Sequence, residues 1–433
     1  LSIHAQNGTS STEVLDKLIS QKEYAKADVV LKKTITKLNS KKEYYNLCDM
    51  IYYVGKLELE KNKNDNLATK TVINFMKSIV SKTDSVKVIR QTEMEAASFY
   101  ELIGNSQKAY ESNIKALNWT KKWNKATPED FGLIENNLSI LADRTGNLAL
   151  ALSHVRTALH YFESYPKTDK KNLYNVYNSM GANMWYISKI DSALIYFKKS
   201  EKVLKTLEKS PRNLYKQAML YNNISAIYNT QGNYNLALNA IKTTINTLNA
   251  YLKCDIPDNK RAVANEFLFS VIENYAGLYK NMGDYQKAFE LLTYANKEKQ
   301  KYFDADHPEL FKSKILLGQI YYELRDYKKS NFYLDAGIKQ IEKISGDNYL
   351  WDADAHFSKA LVSEAIGNID VASQNYGKAE QLYELALEGS YDEMYLDFIE
   401  KASHFYAQNN QKAKALKMAK KAFVADCHEA RDA

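Results

Sequence analysis

Gly232-Asn233-Tyr234-Asn235-Leu236-Ala237 and Gly283-Asp284-Tyr285-Gln286-Lys287-Ala288 are two copies of one phrase. Gly104-Asn105-Ser106-Gln107-Lys108-Ala109, Gly146-Asn147-Leu148-Ala149-Leu150-Ala151 and Gly367-Asn368-Ile369-Asp370-Val371-Ala372 repeat it, and degenerate copies end at Ala27, Ala68, Ala193, Ser330 and Ala415. Taking the last residue as an anchor, the series 27, 68, 109, 151, 193, 237, 288, 330, 372, 415 has gaps of 41, 41, 42, 42, 44, 51, 42, 42 and 43. A fixed period of this size is the signature of a repeat architecture. Each unit reads as a helical hairpin: an apolar-periodic helix A, a Gly-Asn/Asp turn whose left-handed residue ends it, and a helix B opened by the small anchor. Around Ala237, Tyr221, Ile224 and Tyr228 recur at helical spacing before the turn, and Ala237, Ile241 and Thr244 after it. The anchor is small because the two helices cross closely there. Pro128, Pro166, Pro211, Pro257 and Pro308 all fall 15 to 20 residues after an anchor, so they punctuate the connections between units.

These features resemble the tetratricopeptide repeat family over nearly the whole chain, from about Glu13 to Phe423. Gly181 and Gly318 stand at the family's small helix-A position, Ser225 and Ala276 substitute there, and Tyr100, Tyr228, Tyr279, Tyr321 and Tyr406 stand at its Tyr. The resemblance implies an all-α, right-handed superhelical solenoid of about ten antiparallel helix-turn-helix repeats, with helix A lining a concave groove. The period of ~42 is similar to the longer units of kinesin light chains and of bacterial repeats joined to CHAT peptidase domains. Asn136-Asn137-Leu138-Ser139, Asn178-Ser179-Met180-Gly181, Asn222-Asn223-Ile224-Ser225 and the connection Asp306-His307-Pro308-Glu309 share that likeness. The expected layout is a flexible N-terminus or signal-peptide remnant at 1–11, the solenoid at 12–423 and a C-terminal remnant at 424–433.

Composition agrees with a helical chain: 433 residues carry only 15 Gly and 5 Pro, with 45% apolar and 26% charged residues. Average usage is about 7% Gly and 5% Pro, and sheet folds need more of both. The net charge of +7 is mild and only seven Arg are present, without a stripe, so nucleic-acid binding is not indicated. Lys412, Lys414, Lys417, Lys420 and Lys421 read as a solvated helix face. Cys48, Cys254 and Cys427 lack the spacing of a zinc site or a disulfide framework. Leu1-Ser2-Ile3-His4-Ala5-Gln6 resembles the cleavage region of exported Bacteroidota proteins, which predicts an exported, periplasmic or cell-surface location. No run of about 18 apolar residues occurs.

Nucleotide, esterase and zinc-peptidase motifs are absent from the sequence, so no catalytic residue, metal or cofactor is expected. Asp352-Ala353-Asp354-Ala355-His356 reads as a solvated helix start, because alternate residues on a helix diverge. Asp304, Asp306, His307 and Glu309 read as a plain connection.

The functional expectation rests on ladders along helix A. Asn136, Asn178, Asn222 and Glu273 occupy one equivalent position, and Asn137, Ser179, Asn223 and Asn274 the next. An Asn amide donates and accepts, which suits the main chain of an extended peptide whatever its side chains. Trp185, Tyr186, Lys280, Asn281, Gln319 and Tyr322 belong farther along the same face, where aromatics form an apolar pocket and Lys280 meets a carboxylate. The long gap predicts an insertion at 251–261 that lengthens a loop or bends the solenoid. The chain is thus expected to be a protein- or peptide-binding scaffold. The alternatives are the sensory ectodomain of a membrane-bound regulator and the regulatory arm of a CHAT-type peptidase, with output domains beyond Ala433.

Overall fold

The computed structural model describes residues 11–304, 307–343, 349–387 and 393–432, and its regular structure there is entirely helical. The chain divides into two compact units, Leu1–Glu266 and Phe267–Ala433. In the first, α1 (Ser11–Ser20) pairs with α2 (Tyr24–Ser40), and α3 (Tyr44–Cys48) and α4 (Met50–Asn62) precede α5 (Asp65–Val80). Then come α6 (Val86–Leu102) with α7 (Ser106–Lys122), α8 (Pro128–Arg144) with α9 (Leu148–Ser164), α10 (Lys170–Tyr186) with α11 (Ile190–Leu204), and α12 (Pro211–Thr230) with α13 (Tyr234–Leu252). The division falls inside α14 (Asp258–Asn281), which a turn joins to α15 (Tyr285–Tyr302). The second unit continues with α16 (Pro308–Glu323) and α17 (Tyr327–Ile341), α18 (Tyr349–Ala365) and α19 (Ile369–Leu387), and α20 (Glu393–Gln408) and α21 (Lys412–Asp432).

The turn phrase has a definite mechanism. Each of the ten anchors is the fourth residue of a second helix, and the residue five places before it is left-handed in every copy. Gly104, Gly146, Gly232, Gly283 and Gly367 take that conformation without a Cβ penalty. Lys22, Lys63, Ser188, Arg325 and Asn410 take it at a cost of about 1 kcal/mol or more, which tertiary packing offsets. Around Gly232 the amide of Asn233 donates to the Tyr228 carbonyl (2.8 Å) and that of Gly232 to Asn229 (2.9 Å), a Schellman closure. The recurring Tyr is therefore the residue whose carbonyl receives the closing hydrogen bond, as again at Tyr100, Tyr279, Tyr321 and Tyr406. The next residue opens the second helix: the side chains of Asn64, Asn105, Asn147, Asp284, Asp326 and Asn368 each accept an amide three residues on.

Close crossing explains the small residues. The anchors from Ala27 to Ala372 are fully buried. Ser225 Oγ donates to the Ala237 carbonyl (2.9 Å) and Ser330 Oγ to that of Gly318 (2.7 Å). A Cβ on Gly181 would lie 2.6 Å from the Phe197 ring, and one on Gly318 2.6 Å from Leu334. The core follows the same seam, with Phe162, Phe197, Tyr376, Tyr383 and Tyr406 fully buried. Each such side chain contributes about 1.5–3 kcal/mol, realised only when a neighbouring hairpin covers it.

Several expectations need correction. The 251–261 insertion does not form a long loop. The extra residues are absorbed into the 24-residue α14, and Arg261 clasps the short connection by donating to the carbonyls of Leu252 and Cys254. The basic C-terminal run is not simply solvated, since Lys417 and Lys421 reach Glu380 at 2.7 and 2.6 Å and Lys421 reaches Glu384 at 2.6 Å. Asp352, Asp354 and His356 are half-buried within α18: Tyr383 donates to Asp354 (2.6 Å), and His356 Nδ1 meets Asn375 Oδ1 (2.8 Å). The helix α21 runs to Asp432, beyond Phe423. Leu1–Gln6 and Asp306 lie outside the described residues. No helix among those described is long and apolar enough to cross a membrane.

Candidate functional site

In the first unit the helices α8, α10 and α12 pack successively on one another, so equivalent positions on them are neighbours. Helical spacing groups Leu133, Asn136 and Ile140 on α8, Asn175, Asn178, Ala182 and Trp185 on α10, and Met219, Asn222 and Ala226 on α12. Ile140 and Met219 are exposed, while Asn136 keeps only 7% of its surface. Its Oδ1 is buried without a hydrogen-bond partner among the described residues, and so is Oδ1 of Asn178. A buried acceptor left in that state costs about 1–3 kcal/mol. Asn222 is already engaged by a neighbour, and Asn137, Ser179 and Asn223 are half-buried.

One turn before Asn178, Asn175 Oδ1 accepts from Lys216 Nζ (2.9 Å). Lys216 lies 4.5 Å from the Tyr174 ring centroid, and Tyr174 donates its hydroxyl to the Lys216 carbonyl (3.0 Å). Burial, reinforced by Arg212 and Lys171, lowers the Lys216 ammonium to about 8. At the far end of α10, Trp185 is half-buried and Tyr186 is 54% exposed, with the two rings parallel within 3°. Burial raises both the Tyr186 hydroxyl and the Asp143 carboxyl, and the Asp143 charge adds to the effect on Tyr186.

The second unit holds the other expected residues. Glu273 Oε1 accepts from Lys299 Nζ (2.6 Å) and from Ser313 Oγ (2.7 Å). Lys299 is fully buried and also reaches Glu309 Oε2 (2.8 Å), while Lys312 holds Glu309 Oε1 from outside (2.7 Å). Burial keeps Glu273 above the ordinary carboxylate range; at Glu309 burial pushes the same way, but hydrogen bonds from Lys299 and Lys312 outweigh it. Glu273 is thus committed inside the repeat core, unlike the oxygens of Asn136 and Asn178 with which it aligns. Gln319 donates to Ser358 Oγ (3.2 Å). Lys280 is half-buried and acts on Asp397, whose carboxyl burial raises, while Asn274 and Asn281 are exposed and engaged.

Two groupings escaped the sequence reading. Glu95 on α6 aligns with Asn137, Ser179 and Asn223, fourteen residues ahead of its anchor, and that register was the available signal. Burial, with Asp49 facing it, raises the carboxyl to about 7, while Gln91 Nε2 donates to it (2.9 Å). The other is a chain across α7, α8 and α9: Tyr110 O–H to His154 Nε2 (3.0 Å) and His154 Nδ1 to Glu135 Oε2 (2.6 Å). A neutral imidazole satisfies it throughout, with the hydroxyl donating to Nε2 and Nδ1–H donating to the carboxylate. No sequence motif marks residues separated this way. Among the described residues no group of three or more His, Cys, Asp or Glu could hold a metal ion.

No protein-family model matches this sequence, and no curated protein matches it. The fold is similar to the apo form of the quorum sensor NprR from B. thuringiensis, at 13% identity over 86% of this chain and 97% of that one, with a TM-score of 0.58. It is similar to a Rap protein complexed with Competence and Sporulation Factor, at 12% identity over 93% and 100% of the two chains, with a TM-score of 0.55. A signal transduction ATPase with a tetratricopeptide repeat sensor, from Pyrococcus horikoshii, matches at 15% identity over 87% of this chain and 54% of that one, with a TM-score of 0.51. The fold is that of tetratricopeptide-repeat helical hairpins.

Proposed function

We propose that this chain is a non-catalytic receptor that holds an extended peptide segment of a partner along the first-helix face of its N-terminal unit. The observation that carries this reading is the pair of buried, unpartnered Asn136 and Asn178 carbonyl oxygens at equivalent positions of consecutive repeats. Packed helices stand about 8–10 Å apart, the span of about three extended residues. An amide that turns outward on binding offers its oxygen to a ligand main-chain N–H and sheds the desolvation cost it carries in the free protein. Ile140, Met219 and the Trp185–Tyr186 pair flank these positions with apolar surface for ligand side chains. The similar structures support the reading in kind: one is a quorum sensor and another is complexed with a factor. An exported location belongs to the same proposal, on the resemblance of Leu1–Gln6, and fractionation of the native host checks it.

The test is affinity capture from the native host with the wild-type chain and an Asn136→Ala, Asn178→Ala, Asn222→Ala variant, followed by synthesis of the bound segment. The variant should keep its helical circular dichroism and lose the segment. Methylating the ligand's contacting backbone nitrogens should weaken binding at least tenfold. Equal binding by the variant and by the methylated ligand would sink the proposal.

A further inference from the structure

A second concavity lies in the first unit, away from the asparagine ladder. Between α5, α6 and α7 there is a cavity of about 550 Å³, within the usual range for small-molecule sites. The α5 side supplies Ile73, Met76 and Val80 together with Lys77, and Ser81 follows the helix end. The opposite wall carries Glu93 and Tyr100 of α6 and Lys115 of α7.

The polar wall is incompletely satisfied. Tyr100 is 8% exposed, and burial, with the charges of Glu93 and Glu111 adding to it, raises its hydroxyl. The Glu93 carboxylate accepts a hydrogen bond from Ser112 but forms no salt bridge among the described residues, although Lys115 acts on it. Burial raises Glu93, as expected of a carboxylate facing a cavity with no cation in contact. Lys115 is exposed and acts on Glu93 without forming an ion pair among the described residues. The lining thus combines one carboxylate, two lysines, a tyrosine hydroxyl and an apolar surface.

We infer that this cavity binds a zwitterion with an apolar body, a free apolar α-amino acid or dipeptide. Its ammonium is held by Glu93, its carboxylate by Lys115 and its side chain by Ile73, Met76 and Val80. A purely apolar occupant would strip water from Glu93, Tyr100 and the lysines without replacing it, a simple cation would leave the lysines unmatched, and a simple anion would leave Glu93 unmatched. A zwitterion meets both signs of charge on the lining. This site is independent of the peptide-binding reading, because it shares no residue with the asparagine ladder.

The experiment is calorimetric titration of the full chain with L-leucine and L-leucyl-L-phenylalanine, beside their C-terminal amides and N-acetyl derivatives. At least one zwitterion should bind, and masking either end should weaken binding tenfold or more, the loss typical of a charge-assisted hydrogen bond. Ile73→Trp, at an exposed position on the cavity wall, should abolish binding with helicity unchanged, and Glu93→Gln should weaken it at least tenfold. Absence of binding by both zwitterions overturns the inference. So does equal binding by the masked compounds, or full binding by Ile73→Trp. The ligand series needs no variant, so a variant that fails to fold leaves the inference testable.

Discussion

Position fifteen residues ahead of the anchor is used in opposite ways in the two units. In the first, Asn136 and Asn178 stand there with buried oxygens and no donor. In the second, Glu273 stands there and is closed off by Lys299 and Ser313. The cause lies on the second helix. Eleven residues after the anchor, the Asn136, Asn178 and Asn222 repeats carry Phe162, Leu204 and Leu248, all buried and unable to donate. The Glu273 repeat carries Lys299 at that place. A charged side chain has replaced a core hydrophobe and taken the ladder residue as its partner. Ladder chemistry is therefore decided by what the opposite helix supplies as much as by the ladder residue itself.

The largest expected effect comes from breaking that closure. Lys299→Met leaves the Glu273 carboxylate buried without a cation and Glu309 with Lys312 alone, and should cost about 3–5 kcal/mol in urea unfolding of the C-terminal unit. A neutral result would dissolve the contrast between the units.

Glu95 offers a sharper, pH-dependent form of the contrast, because it is a carboxylate in the ladder register with no buried lysine against it. Its folded pKa of about 7 lies above the unfolded value of 4.5. Its contribution to stability is therefore fully present below pH 4.5 and lost as pH rises to about 7. Glu95→Gln should stabilise the protein by about 1–3 kcal/mol at pH 8 and leave it unchanged at pH 4, as read from urea midpoints at the two pH values. A gain of equal size at both would mean that packing, not charge, is responsible.

The smallest effect concerns the asparagines themselves. Asn136→Leu and Asn178→Leu remove an unpartnered buried acceptor and should each raise the stability of the ligand-free protein by about 1 kcal/mol, measured by thermal unfolding. A substantial loss instead would show that these side chains serve the fold.

The repeat was legible because its signals are local. The left-handed turn residue, the Asn or Asp that opens the second helix and the buried small anchor lie within six positions, and five copies with Gly sufficed to place the five without it. The ladder register was legible for the same reason, and it set Asn136 and Asn178 at equivalent positions of α8 and α10. The fate of each ladder residue was not. Glu273 looked like its aligned asparagines, since its partner Lys299 stands 26 residues away and Ser313 stands 40 away. Reading the 251–261 gap as a loop failed because a longer helix and a longer connection consume the same number of residues.

By itself, the sequence determined a chain of helical hairpins, where each one turns and which residue seals each crossing, because backbone conformation and helical period act over a few neighbours. Only the tertiary structure decided which polar groups found partners. It buried Lys299 between two carboxylates, left Asn136 and Asn178 without donors, and opened a cavity beside Glu93 and Tyr100. Those outcomes depend on distances between side chains tens of residues apart, and on how much water each contact excludes. Neither quantity is set by any local stretch of the chain.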